Sequence, residues 1–413
     1  MGSPGTPLVC DPGTALSVNR RKGSHHRKPC GHDLEPVLQH SAPLSLLPHH
    51  PARGLRLLPQ LLLGLALLAG GHAAQARTPA AAPAPQLAPA DNPSCPAPAV
   101  KDPAVYQAES RKPHPDRGVL WQLRKGDTVA YLWGSIHVGQ LPWIFPGPRT
   151  AQALRAAPAI ALELDPVDPA TLQALTQAMR EDNDRQKLVM RQNPELQTRM
   201  GRMAFESCVD QSTWQTNAAT LARLIALGMQ DMARSGYHPA YGIDLNLAAM
   251  AHAVGKPVQA IETAQEQLLA MGLGGDGVPA QLATPDDIRK ALDDIDSGKN
   301  RQVAQKLAEY WESGDLAALE QLMQTCQCLG DVGMQAALLD TRNQRMAERL
   351  PAMMAAQPQL FIAVGLLHMV GDNNLLQLLQ KQGFTVRQLT GKGAEAAAAA
   401  SSAVPASTPA KAQ

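Results

Sequence analysis

Residues 129–139 read V-A-Y-L-W-G-S-I-H-V-G: an apolar run, then Gly134 and, three residues later, His137. Far downstream, residues 360–371 (L-F-I-A-V-G-L-L-H-M-V-G) repeat the arrangement with Gly365 and His368. Apolar runs without alternation suit strands covered on both faces, as in a parallel sheet. Ligands of open α/β sheets sit beyond the carboxyl ends of the strands. Two strand ends that each deliver a histidine therefore predict one shared site. Histidine is the commonest metal ligand and the usual acid or base near neutral pH. A glycine three residues earlier lets the backbone bend or a neighbour come close. The four letters alone carry little, because Gly23-Ser24-His25-His26 also fits G-x-x-H in a stretch with no strand signal. The weight lies in the apolar run before each copy. For either copy alone, the bland reading is a strand-end histidine with satisfied hydrogen bonds; the pair favours a site.

Working outward, residues 119–123 and 128–133 read as a hairpin around Arg124-Lys125-Gly126-Asp127,. A helix over 149–156 leads to a strand at 159–164, which presents Glu163 and Asp165 at its carboxyl end. Asp168-Pro169 is a helix start, with Asp as N-cap and Pro in the first turn,. Residues 169–235 read as mostly helical. Asp244 reads as the cap of a helix over 245–254 that Gly255 closes,. Residues 256–262 form a short strand ending in Glu262, and Thr284 caps the next helix. Helices run on to about residue 354, and a last strand lies at 384–389. Residues 272–277 match G-x-G-x-x-G by letters but follow a helix, so the dinucleotide fingerprint lacks its strand and the segment reads as a loop,. The expected fold is α/β: a mixed, largely parallel central sheet with flanking helices, a helical insertion and disordered termini.

Composition sets the boundaries. Lys and Arg total 37 against 36 Asp and Glu, which removes the electrostatic case for nucleic acid as a partner,. Residues 1–54 read as a disordered extension. Within 55–76, Arg56 and the apolar run 57–70 followed by Ala74-Gln75-Ala76 read as a signal peptide,; the run is short for a membrane span, and an uncleaved N-terminal anchor is the alternative. The expected location is exported, periplasmic or extracellular, with no integral membrane domain beyond that leader. Residues 77–105 form a Pro/Ala linker,, 106–390 the folded domain, and 391–413 an Ala/Ser/Pro tail. Of the six cysteines, Cys95, Cys208, Cys326 and Cys328 follow the leader. In an exported protein Cys208 is expected to pair with Cys326 or Cys328.

The candidate chemistry is then a constellation of strand ends: His137, Glu163, Glu262 and His368. Two histidines and a carboxylate can hold a catalytic divalent metal with a position open for water, and a second carboxylate can take a proton from that water. Arg342, on a helix before the second histidine, is placed to stabilise an oxyanion or bind a substrate carboxylate. Each has a plainer reading: a helix cap for either glutamate, a solvated helix residue for Arg342, a turn residue for Asp165, a loop residue for His238. G-x-S-x-G, H-E-x-x-H and a phosphate-binding Walker loop are all absent,. Ser135 shares a strand face with His137, but nothing else points to a serine nucleophile.

These residues resemble the TraB/PrgY/GumN family, which includes the Tiki proteases. The resemblance spans roughly residues 115–390. It rests on Y-L-W-G-S-I-H-V at 131–138, A-L-E-L-D at 161–165, Y-G-I-D at 241–244, G-K-P-V-Q-A-I-E-T-A-Q-E-Q-L at 255–268, R-N-Q-R-M at 342–346 and A-V-G-L-L-H-M-V-G-D at 363–372. The family's two G-x-x-H motifs and glutamate fall here on Gly134/His137, Gly365/His368 and Glu163. The resemblance implies a fold similar to the erythromycin esterase and ChaN-like group. From the Tiki branch it implies a metal-dependent peptidase, with Mn, Co or Zn as the ion and a peptide or protein as substrate. The ChaN-like fold also permits a non-catalytic haem- or metal-binding protein, and the GumN name an accessory factor in surface polysaccharide production.

Overall fold

A computed structural model describes residues 95–216, 220–270, 284–326 and 335–394. The N-terminal extension, the leader, most of the linker, the glycine-rich stretch at 272–277, Cys328 and the tail beyond 394 lie outside the described residues. The sheet has six strands: β1 (Leu120–Lys125), β2 (Thr128–Ser135), β3 (Ile160–Leu162), β4 (Val258–Ala260), β5 (Phe361–Gly365) and β6 (Thr385–Gln388), in the order β4-β3-β5-β2-β1-β6. β4, β3, β5 and β2 run parallel to one another, while β1 is antiparallel to both β2 and β6. The expected α/β class and largely parallel sheet are therefore what the chain forms.

The apolar runs account for this topology. Ile160, Ala161, Leu162 and Phe361, Ile362, Ala363, Val364 are all buried, as strands sandwiched between helical layers must be. β1 and β2 close a two-residue turn at Gly126-Asp127, with Gly126 at φ +56,. The helices follow in chain order as α1 (Pro103–Ser110), α2 (Pro148–Ala156), α3 (Pro169–Gln192), α4 (Pro194–Glu206), α5 (Gln211–Thr216), α6 (Thr220–Ala233), α7 (Ile243–Ala253), α8 (Ala264–Ala270), α9 (Pro285–Asp296), α10 (Lys299–Ser313), α11 (Leu316–Cys326), α12 (Thr341–Ala356) and α13 (Leu375–Lys381). Several start where the capping rules place them: Asp168 accepts from Thr171 N, Thr284 and Asp287 form a reciprocal box, and Asn374 accepts from Gln377 N,. α1, capped by Asp102, already begins at Pro103. No helix among the described residues is long and apolar enough to cross a membrane.

One expectation is overturned. Cys208 is bonded to Cys95, across 113 residues of sequence with a Cα–Cα distance of 5.5 Å, and not to Cys326 or Cys328. Cys326 is itself disulfide-bonded. The reason is spatial. Cys208 follows α4 at a turn, and the segment before α1 returns to the folded body, where Val100 N donates to the Tyr241 hydroxyl. Cys95 had read as part of a linker with no core, so its proximity was not visible in the pattern.

Candidate functional site

The four parallel strands deliver their carboxyl ends to one edge of the sheet. Glu163 immediately follows β3, Glu262 lies two residues past β4, His137 two past β2 and His368 three past β5. The parallel ladder continues beyond β3 and β4, with Ile261 N donating to Leu162 O and Glu262 N to Glu163 O. This sets the two glutamates side by side. Arg342 enters from the first turn of α12 and ties them together. Its Nη2 donates to Glu163 Oε2 at 2.6 Å and to Glu262 Oε2 at 2.5 Å, and its Nε to Glu262 Oε1 at 2.9 Å. Gln267 Nε2, from α8, donates at 3.2 Å to Oε2 of each glutamate. The Glu262 side chain is fully buried, and Glu163 and Arg342 keep only about a tenth of their side-chain surface.

Both motif glycines permit close approach. A Cβ on Gly365 would stand 3.1 Å from Glu163 Oε1, the atom to which Gly365 N donates at 2.6 Å; one on Gly134 would lie 2.3 Å from the Leu366 side chain. The second motif's backbone thus holds the glutamate, while the first packs against it. His368 is oriented by α12: its Nδ1 lies 2.6 Å from Asn343 Oδ1, whose amide donates to Asn373 O. That leaves His368 Nε2 facing Glu163 Oε1 at 3.8 Å. His137 Nδ1 lies 2.7 Å from Asp244 Oδ2, yet off the line of a hydrogen bond, so that nitrogen and both Asp244 oxygens are buried without an aligned partner. The contact is therefore a close ion-pair approach.

The electrostatics follow. Burial works against the charged form of Glu163, but Arg342, then His368 and His137, and the Gly365 N–H outweigh it and hold the carboxyl well below its usual range,. His368 is pushed down to about 3, by burial first and then by Arg342. His137 moves the other way: burial opposes its charged form, but Asp244 and then Glu163 more than compensate. His368, Glu163, Glu262 and Arg342 thus form one contiguous cluster, and the His137–Asp244 pair is near enough for the His137 ring to act on Glu163.

Other candidates fall outside it. Asp165 shapes its turn by accepting from Val167 N, and also meets His252 at 2.7 Å. His238 is a loop residue paired through its backbone with Gly139, and Trp133 and Trp143 pack around Trp311. Asp244 does not cap α7. The cap position is Gly242, and Asp244 turns its carboxylate to His137. Asp244, Asn343 and Gln267 are the members that sequence reasoning missed. All three lie inside quoted motifs, at 241–244, 342–346 and 255–268, but nothing in those motifs marks them as partners of the site residues.

Among the described residues, no three His, Cys, Asp or Glu side chains converge closely enough to hold a metal ion. The chemistry of the donor set nonetheless suits a divalent cation. Each histidine has Nδ1 against an oxygen, which leaves Nε2 as the ligating nitrogen, the usual arrangement of metal-binding histidines. Glu163 and Glu262 share one guanidinium while Asp244 has the His137 ring as its partner, so two buried carboxylates meet a single permanent cation; the nearby Arg349 is paired with Glu266. Buried charge is normally balanced.

A family model described as the TraB/PrgY/gumN family matches residues 119–388. No curated protein and no solved structure matches the chain.

Proposed function

The chain belongs to the TraB/PrgY/gumN family, and on that premise we propose that it is an exported, divalent-metal-dependent hydrolase of peptides with His137, Glu163 and His368 as metal ligands. The observation that carries this reading is the buried cluster itself: a neutral histidine 3.8 Å from a carboxylate that also senses a second histidine. Two donors bound to one ion at about 2.0–2.1 Å lie roughly 3–4 Å apart. A divalent ion there would supply Lewis-acid polarisation of a carbonyl at neutral pH.

The chain's own residues do the rest. Asn343 holds Nδ1 of His368 so that its Nε2 faces Glu163, and Asp244 meets Nδ1 of His137 and leaves its Nε2 as the nitrogen for the ion. The Gly365 N–H fixes Oε1 of Glu163. Arg342 is the donor for a developing oxyanion or a substrate carboxylate. Glu262, expected as a further ligand or base, has Arg342 on both oxygens, so in this reading it orients the guanidinium. Three disulfide-bonded cysteines outside any C-x-x-C motif, Cys95, Cys208 and Cys326, support an oxidising compartment,.

The test uses the purified full chain. Metal content and cleavage of a quenched peptide library are measured with Mn²⁺, Co²⁺ or Zn²⁺ and with chelator. We expect cleavage that needs metal, and loss of both metal and cleavage in His137→Ala and in His368→Ala with circular dichroism unchanged. Folded protein that binds no metal and cleaves nothing removes the hydrolase, and a Soret band would favour haem binding instead.

A further inference from the structure

Arg342 is already a cation on the carboxylate that the hydrolase reading assigns to the metal. Its Nη2 holds Glu163 Oε2, while Glu163 Oε1 faces His368. A divalent ion beside Oε1 and a guanidinium on Oε2 of the same carboxylate are like charges a few ångströms apart in a site screened from water, where repulsion is strong. The two arginine contacts are not equivalent. On Glu163, Arg342 has one bond; on Glu262 it has Nε as well as Nη2, at 2.9 and 2.5 Å. Release from Glu163 would therefore leave the guanidinium anchored.

A further feature suits such a movement. Residues Ala336–Asp340, just before α12, form a π-helical turn, and Arg342 Nη1 reaches the Leu338 carbonyl inside it at 3.3 Å. Segments of this kind recur at functional sites. Glu163 itself does not depend on the arginine for position, because the Gly365 N–H and Gln267 also hold it.

We propose that Arg342 is a built-in competitor for the metal: it neutralises Glu163 in the metal-free protein and is exchanged off that carboxylate, onto Glu262 alone, when a divalent cation binds. This rests on the metal-site reading above and adds to it a regulated affinity, since the coupling between arginine contact and metal binding is reciprocal.

The experiment is calorimetric titration of the full-length metal-free chain with Mn²⁺ or Zn²⁺ alone. Arg342→Gln should bind metal at least about tenfold more tightly than wild type, in the range of outer-shell effects on metal sites, and Glu163→Gln should abolish binding in either background. Arg342→Gln leaves Glu262 buried without its cation, so a second variant, Arg342→Met with Glu262→Met, removes the pair together; it should show the same tightening. Wild type and both variants binding with equal affinity would overturn the exchange and leave the hydrolase reading intact, as would weaker binding by folded variants. Binding by none of them would overturn both. Binding by the variants but not by wild type would support the exchange in its strongest form.

Discussion

A histidine kept neutral inside a protein makes folding less favourable as the solution turns acidic, because only the unfolded chain takes up the proton. His368 is that case: its folded pKa is about 3 against an ordinary 6.5. Between those values the unfolded state binds more protons, so stability falls as pH drops, with a slope of at most about 1.4 kcal/mol per pH unit for one group. His137 has the opposite sign: its raised pKa contributes stability that is present below 6.5 and is lost as pH rises through the folded value. Glu163, depressed, adds stability above 4.5 that is lost as pH falls. The window from 6.5 to 4.5 therefore isolates His368 from Glu163. Urea midpoints of the metal-free chain at about pH 7 and pH 5, on either side of the ordinary histidine value, should fall less in His368→Gln than in wild type; an identical fall in both would refute the assignment. The sequence made His137, His368, Glu163 and Glu262 legible because strand ends and apolar runs announce themselves locally, whereas Arg342 was legible only as a helix residue ahead of the second histidine. Gln267, Asn343 and Asp244 were not legible as members, since a polar side chain's partner is decided by which distant element it is packed against.

At the level of elements, the sheet was readable and the irregular turns were not. The runs 129–135 and 360–365 declare buried parallel strands, and β3 and β4 were placed correctly although each is only three residues long. The π turn at Ala336–Asp340 depends on the packing of α12 and left no periodic trace. The start of α7 was misplaced by two residues, because Asp244 is a strong cap type yet spends its carboxylate on His137. α12 also carries Pro351 in its interior. Proline lacks the N–H that would bond Ala347 O, and Gln382, just past α13, donates its Nε2 to that carbonyl at 2.9 Å. Gln382 thus stands in for the missing backbone donor and joins the end of α13 to α12. This predicts coupling. Gln382→Ala should cost about 1 kcal/mol, the usual worth of such a bond, and clearly less once Pro351→Ala restores the helical donor. A double-mutant cycle by chemical denaturation measures it; strictly additive losses would mean that the glutamine and the proline are independent.

For the molecule as a whole, the bond between Cys95 and Cys208 sets the covalent topology. It closes a loop spanning 113 residues of sequence, from ahead of the sheet to the helical region between β3 and β4. The segment it fixes is also held by Val100 N on Tyr241, by Asp116 accepting from the first N–H groups of α2, and by Arg117 donating to Pro142 O and Glu312. Loop closure of this length is worth about 2–5 kcal/mol in the chain-entropy account. Cys95→Ser, Cys208→Ser and the double variant should therefore lose nearly the same stability, because each removes the same cross-link. A double loss close to the sum of the singles would instead trace the effect to side-chain packing. Cys208 adds a separate term. Its φ is +61, a left-handed conformation that costs a residue with a side chain roughly 1–2 kcal/mol. In the native protein the cross-link and the surrounding turn impose that conformation; without the cross-link the penalty remains with no bond to offset it. Cys208→Gly, which removes the bond and the steric penalty together, should accordingly be about 1 kcal/mol more stable than Cys208→Ser. Equal unfolding midpoints for the two variants would show that the turn relaxes to negative φ once the bond is gone.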